Sequence, residues 1–146
     1  MKTKLFTIVF FAMVCVFGAC TTPPQDKIVG KWNLSKIETD QKLSEDEKLA
    51  YDSFIEELIK STSITYNSDF SYEQTANGNT TKGKWQIISG SDDESTLKLQ
   101  TTDDSGQKVT VSLETLTDDE MVQVSVEEDP NQGKITTKNY FKKSTK

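Results

Sequence analysis

Apolar and polar residues alternate along most of the chain after Thr62. This period of two is typical of β-strands with one buried face. Turn residues such as Asn77-Gly78 and Asp103-Asp104-Ser105-Gly106 separate the stretches and favour tight hairpins. Together with Val29–Glu38, the pattern predicts eight strands, and the later seven are marked by Ile64/Tyr66, Phe70/Tyr72, Trp85/Ile87, Leu97/Leu99, Val109/Val111/Leu113, Val122/Val124/Val126 and Ile135/Phe141.

A different periodicity predicts one helix over Ser44–Lys60, between the first two strands. Ser44 followed three residues later by Glu47 is a capping box, which satisfies free backbone N–H groups at a helix start. The apolar residues of this segment recur at helical spacing and form one stripe, at Tyr51, Phe54, Ile55 and Leu58. Such a stripe indicates either packing against the core or a movable lid over a cavity mouth.

Two glycine–tryptophan motifs, Gly30-Lys31-Trp32 and Gly83-Lys84-Trp85, favour closure of the sheet. A glycine on the same side of a strand as a large indole lets a neighbouring strand pass close by. Eight antiparallel strands are enough to close into a barrel, and closure removes the exposed edges. We therefore expect an all-β, eight-stranded antiparallel up-and-down barrel with one helix between strands 1 and 2. An open-edged two-sheet sandwich is the alternative.

The N-terminus predicts export. A short basic start precedes the apolar run Leu5–Phe17, which has the length of a signal-peptide core. The run ends in Phe17-Gly18-Ala19-Cys20, which resembles the lipobox of bacterial lipoproteins, where the cysteine receives a lipid. These features divide the chain into a signal peptide at 1–19, lipidated Cys20 with a tether at 20–27, and a barrel at 28–146. An ordinary secretory signal with an incidental Cys20 is the alternative.

The first-strand Gly30-Lys31-Trp32, the meandering strands and the lipoprotein signal together resemble the lipocalin-like lipoproteins of Bacteroidota. The resemblance implies a lipocalin-like barrel in the bacterial cell envelope, anchored to the outer membrane. Because no acidic cluster follows Cys20, we expect the protein to face the periplasm. The helix position is nearer to that of fatty-acid-binding proteins, but Lys138-Asn139-Tyr140 stands where those proteins have Arg-x-Tyr, and lysine is not an equivalent carboxylate clamp.

Composition excludes several function classes. The chain has no His and no Arg, which removes His-based nucleophile systems, His-rich metal sites and guanidinium clamps for phosphate. Without Lys2 and Lys4, 15 lysines face 23 acidic residues, a net charge of −8, so nucleic acid is not an expected partner. Membrane attachment would therefore come from the lipid on Cys20 and not from charge.

Acidic residues gather at the predicted turns, where Asp and Asn serve the backbone, and no Asp-x-Asp-x-Asp-Gly loop for Ca²⁺ is present. We therefore expect no metal, no cofactor and no catalysis. The candidate ligand-binding residues are the aromatic side chains expected inside the barrel, Trp32, Tyr66, Phe70, Tyr72, Trp85, Tyr140 and Phe141. They predict either a cavity for a small hydrophobic ligand or a solid core, in which case the protein is an interaction or inhibitor module whose protein partner the sequence does not identify.

Overall fold

A computed structural model describes residues 22–89 and 97–145 of the chain. The predicted signal peptide at 1–19 and the lipidation residue Cys20 lie outside the described residues. The predicted tether at 20–27 is described from residue 22, and its last part is not extended. Pro24–Ile28 forms a short helix, α1, with a proline at its start, where the missing N–H costs no helical hydrogen bond.

Eight antiparallel strands follow one another around a closed barrel in chain order, and β8 pairs with β1. The predicted fold class, including the helix between strands 1 and 2, is confirmed. The strands are β1 Gly30–Thr39, β2 Ser63–Tyr66, β3 Ser71–Ala76, β4 Asn79–Ser89, β5 Leu97–Asp103, β6 Lys108–Leu116, β7 Glu120–Asp129 and β8 Gly133–Lys143. We call the barrel end at which β1 begins the near end, and the end at which β1 finishes the far end.

The helix α2 spans Glu45–Ser61, within one residue of the predicted bounds. Its capping box forms as predicted. The Ser44 hydroxyl accepts from the Glu47 backbone N–H, and the Glu47 carboxylate accepts from the Ser44 backbone N–H at 2.8 Å. At the other end, the Ser61 hydroxyl donates to Asn77 Oδ1 at 2.7 Å and so ties the helix to the β3–β4 turn.

The wall of the barrel is incomplete where α2 lies. β1 pairs with β2 only from Gly30 to Asn33, while its later residues have no ladder on that side. The helix contacts β1 and β3, and its last turns pack against the core through Leu58 and Ile59. The predicted apolar stripe is wrong for Phe54, which is half exposed, because the packed face of the helix is set by its C-terminal turns.

The near end is closed by α1. Ile28 is fully buried, and its carbonyl accepts a hydrogen bond of 2.7 Å from the Trp32 indole. Lys143 reaches over the Trp32 ring, 5.0 Å from Nζ to the ring centroid, and donates to the Lys27 carbonyl at 2.8 Å. Gly30 leaves room for that lysine, since a side chain there would meet Lys143 Cε. These contacts hold α1 across the near end.

β6 carries a register shift against β7 between Leu113 and Thr115, which changes the alternation of β6 and leaves that of β7 unbroken. Met121 pairs with Leu116 and is fully buried, whereas Val126 is 58% exposed. Met121 and Gln123 lie on the inner face of β7, whereas Val122, which is also buried, lies outside the core cluster that includes Met121.

Candidate functional site

The barrel encloses a cavity of about 310 Å³ in its far half. This volume is at the lower end of the range for small-molecule sites. Val109 lines the cavity and is 50% exposed, which shows that the cavity opens to solvent beside the β5–β6 turn. Its lining is part apolar and part polar: Ile64, Tyr66, Tyr72, Gln74, Thr81, Leu99, Thr101, Asp103, Gln107, Val109, Val111 and Gln123.

The cavity ends at a group of aromatic rings. The Tyr66 ring lies 6.4 Å from the Tyr72 ring and 5.6 Å from the Trp85 ring, the latter in an edge-to-face arrangement. Such pairs stabilise a core beyond their burial alone. The Trp85 indole donates to the Asn67 carbonyl at 3.1 Å. These contacts fix the floor that separates the cavity from the packed near end.

Tyr66 and Gln123 place two buried polar groups beside the cavity. The Gln123 side-chain amide donates to the Tyr66 hydroxyl at 3.3 Å, and both residues are buried. Burial raises the pKa of the Tyr66 hydroxyl well above its usual value, so that hydroxyl stays protonated and can still donate a hydrogen bond.

Asp103 brings a carboxylate to the mouth of the cavity, where β5 ends. Its Oδ1 accepts from the backbone N–H groups of Ser105 and Gln107, both at 2.9 Å, and from the Ser105 hydroxyl at 2.6 Å. The Ser105 hydroxyl and then the Gln107 N–H lower the pKa of Asp103. The side chain is therefore ionised at neutral pH and held in one orientation by its own turn.

The seven predicted aromatic residues do not share one site. Trp32, Tyr66, Tyr72, Trp85 and Phe141 are buried in the core, and of the seven, Tyr66 and Tyr72 alone line the cavity. The prediction that Phe70 and Tyr140 lie inside the barrel is wrong. Phe70 is 50% exposed in the β2–β3 turn, and Tyr140 lies on the outer face of β8.

Phe70 and Tyr140 are each held by a contact outside the barrel. The Phe70 ring packs on Trp85 at 5.2 Å with a left-handed backbone φ of 63°. The Tyr140 hydroxyl donates to Glu38 Oε2 at 2.5 Å. That bond, more than burial, raises the pKa of Tyr140 to about 12. The Lys36 ammonium lies over the Tyr140 ring at 5.2 Å.

The polar lining residues were absent from the sequence prediction. Two of them could have been found from the alternation itself, because Gln74 is two residues after the buried Tyr72, and Thr101 is two residues after the buried Leu99. Gln123 could not be found in this way, because the valines of β7 gave the stronger signal on the other face. The sequence predicts a turn over Asp103-Asp104-Ser105-Gly106, and the structure makes Asp103 the last residue of β5, where it lines the cavity.

A second concavity of about 940 Å³ lies between the start of α2 and the β1 and β8 strands. It is wide, and most of its lining residues are polar or charged, among them Glu38, Asp40, Lys42, Lys48 and Asp52. Since such a surface groove does not remove a ligand from water, the barrel cavity is the better candidate site.

Residues 22–89 and 97–145 contain neither a helix able to span a membrane nor a metal-binding cluster. No helix there has the length and apolar character needed to cross a bilayer. No group of three or more acidic, Cys or His residues is placed to hold a metal ion in those two ranges. In comparisons with known proteins, no family model matches the chain, and no curated protein matches it.

Proposed function

We propose that this chain is an envelope lipoprotein that holds a small, largely apolar ligand in its barrel and does not transform it chemically. The anchor is a lipid on Cys20, and the protein faces the periplasm from the outer membrane. The observation that carries the proposal is the cavity of about 310 Å³ in the far half of a closed barrel. A solid barrel, as in an interaction module, would leave no such space.

The distribution of residues in the cavity supports ligand binding. Ile64, Leu99 and Val111 supply an apolar wall, and polar groups stand at the floor and at the mouth. This combination is typical of small-molecule sites, in which apolar burial gives affinity and a few polar groups fix orientation.

The same lining supports a non-catalytic role. Asp103 is the one carboxylate among the lining residues, and the Tyr66 hydroxyl is held protonated by burial. A general acid and base pair needs two titratable groups with pKa values near the working pH. The lining offers no such pair, so binding is the chemistry it favours.

The orientation of the barrel agrees with an anchor at the N-terminus. The described chain enters at the near end, which α1 closes, while the cavity opens at the opposite end. A lipid on Cys20 would thus leave the cavity mouth pointing away from the bilayer. Two or three acyl chains are enough for durable attachment, since each buried CH₂ contributes about 0.8 kcal/mol.

Methyl NMR of the full-length chain in lipid nanodiscs tests the cavity, with indole as the probe. We expect saturable shifts of the Leu99 and Val111 methyl signals as indole is added. Val109→Trp should abolish them, because Val109 lines the mouth. Val126→Trp is the matched control, since Val126 is on β7, is similarly exposed and does not line the cavity. Native protein whose methyl signals do not respond would favour the solid-core interaction module instead.

Detergent phase separation tests the anchor separately. The native chain expressed in a bacterial host should partition into the detergent phase and incorporate labelled palmitate. Cys20→Ala should appear in the aqueous phase without label. Equal partitioning of both forms would reject lipidation at Cys20 and leave the cavity result unaffected.

A further inference from the structure

The chemistry of the cavity mouth defines the ligand more narrowly. We propose that the barrel takes a small amphipathic amine, with its ammonium group at Asp103 and its apolar part directed towards Leu99. This inference rests on the proposed binding function and names the ligand class of the same site.

One oxygen of the Asp103 carboxylate, Oδ2, accepts no hydrogen bond from residues 22–89 and 97–145. All three hydrogen bonds that the side-chain carboxylate accepts from these residues go to Oδ1. The turn thus fixes the carboxylate and leaves Oδ2 for an external donor. An ammonium group is the partner that gains most, because a hydrogen bond between two charged groups is shorter and stronger than a neutral one.

No cation of the cavity lining balances this charge. Asp103 is the one formally charged side chain in the lining, and none of the twelve lining residues is a lysine. The nearby Lys82 is engaged with Glu73, at 2.8 Å between Nζ and Oε2. A ligand carboxylate entering the mouth would therefore meet a fixed negative charge, whereas an ammonium group would neutralise it.

The wall behind Asp103 suits an apolar ligand body. Asp103, Thr101 and Leu99 all line the cavity and alternate along β5. Alternate residues share one face of a strand, so the distance from Asp103 to Leu99 is about 13 Å. Ile64 and Val111 extend the same apolar wall. A molecule with one charged end and a body the length of an aryl-ethyl group can therefore reach both regions.

The experiment compares three probes of matched shape on the full-length chain in nanodiscs: 2-phenylethylammonium, 2-phenylethanol and 3-phenylpropanoate. Binding is measured from the Leu99 and Val111 methyl signals, with protein-free nanodiscs as the blank for calorimetry. In the native protein the ammonium probe should bind roughly tenfold more tightly than the carboxylate probe. Asp103→Asn should reduce that preference to less than about threefold, because the amide keeps the turn acceptor and removes the charge.

Asp69→Asn is the matched control. Asp69 also sits in a hairpin turn and accepts from the backbone N–H of the serine two residues later, Ser71, at 2.9 Å. Its pKa is likewise lowered, chiefly by the Ser71 hydroxyl, but it belongs to the near end and does not line the cavity. Asp69→Asn should leave the preference for the ammonium probe intact.

The outcomes separate this inference from the proposed function. If indole and all three probes fail to shift the cavity methyl signals, the binding function itself is rejected. If the probes bind but the carboxylate probe binds as tightly as the ammonium probe, or if Asp103→Asn keeps the full preference, the amine inference is overturned and cavity binding stands.

Discussion

At the scale of single residues, Gly83 is, among the glycines that the structure describes, the one with the least room for a side chain. A Cβ built there would lie 2.1 Å from the Thr102 carbonyl oxygen and 2.7 Å from Asp103 Cα. Both are backbone atoms of β5, so a larger residue forces the strands apart. Because Gly83 pairs with Asp103, its lack of a side chain sets the position of the cavity mouth.

Gly83→Ala should therefore destabilise the fold by about 2 kcal/mol or more, since the clash is with backbone and cannot relax through a rotamer change. Gly78→Ala is the control: its φ of +76° disfavours alanine, but nothing lies within 4 Å, so the expected cost is about 1 kcal/mol. Urea unfolding of both variants measures the difference. A Gly83→Ala protein at least as stable as Gly78→Ala would show that β4 and β5 do not approach so closely.

Glu38 links two other side chains, Lys36 and Tyr140, on the outer surface of the barrel. Its carboxylate meets the Lys36 ammonium at 2.5 Å and the Tyr140 hydroxyl on its other oxygen. Lys36 first, and then Tyr140, lower the pKa of Glu38, while Glu38 raises that of Tyr140. Since the folded-state pKa of Tyr140 exceeds its usual value of 10.0, this bond contributes to stability below pH 10 and is lost as the pH rises through about 12.

Glu38→Gln should move the titration of one tyrosine from about pH 12 towards its ordinary value of 10.0. The physical reason is that the anionic acceptor, which opposes ionisation of the hydroxyl, is gone. Absorbance at the tyrosinate band, followed during alkaline titration, measures the change. Tyr140→Phe shows that the shifted tyrosine is Tyr140, because adding Glu38→Gln to that variant should leave the tyrosine titration curve unchanged. An unchanged native titration curve in Glu38→Gln would contradict the assigned bond.

The sequence predicts the burial of some aromatic side chains correctly and of others wrongly. The sequence correctly predicts that Trp32 and Trp85 are buried in the core, because a large indole on a strand is stabilised most by burial and the glycine two residues earlier lets a neighbouring strand approach. Tyr140 is not part of the core, and alternation could have shown this, because the neighbouring Phe141 takes the inward position and Tyr140 then faces outward to Glu38 and Lys36. The pattern Phe70/Tyr72 predicts a strand position for Phe70, but its left-handed φ of 63° places it in the turn before β3.

At the scale of elements, α2 is held by its C-terminal half. None of its residues is fully buried, yet Leu58 and Ile59 pack on the core, and Leu49 is 72% exposed. The helix fills the gap that opens where β1 stops pairing with β2. It therefore closes part of the barrel wall and leaves the mouth near Val109 open.

Leu58→Ala should cost about 1–2 kcal/mol, less than a fully buried leucine because part of the side chain already meets water. Leu49→Ala, the same change on the same helix, should alter stability by less than about 0.5 kcal/mol. Thermal and urea unfolding of the pair tests which turns of α2 are packed. Equal costs at both positions would mean that the helix contacts the barrel along its whole length.

Sequence periodicity and capping motifs predict the position of α2, but they do not predict which face of β7 is inward. The bounds of α2 followed from Ser44 and Glu47, whose capping interactions are local. The inward face of β7 did not follow from Val122, Val124 and Val126. It follows from pairing, since Met121 stands opposite the buried Phe141 of β8 and Gln123 opposite the buried Leu113 of β6, and the sequence of β7 alone does not show these partners.

At the scale of the whole molecule, the two barrel ends differ in kind. The near end is sealed by α1, Trp32 and Lys143, whereas the far end combines the open cavity with a loosely packed helix. Strand order alone could predict closure, because eight strands paired in chain order leave one edge of β1 and one edge of β8 unpaired until those two strands meet. It could not predict which end is sealed, since that depends on a five-residue helix and one lysine.

This asymmetry predicts an order of local opening, measurable by native-state hydrogen exchange. Amides of α2 should exchange through an opening of lower free energy than those of β7 and β8, because α2 has no fully buried residue while β7 and β8 pair continuously from Glu120 to Asp129. α1 should instead exchange with the barrel, because buried Ile28 and the Lys143 contact hold it. Leu58→Ala should speed exchange in α2 without affecting β8. If α2 and β8 exchanged with the same free energy of opening, α2 would unfold together with the barrel, and the predicted order of opening would be wrong.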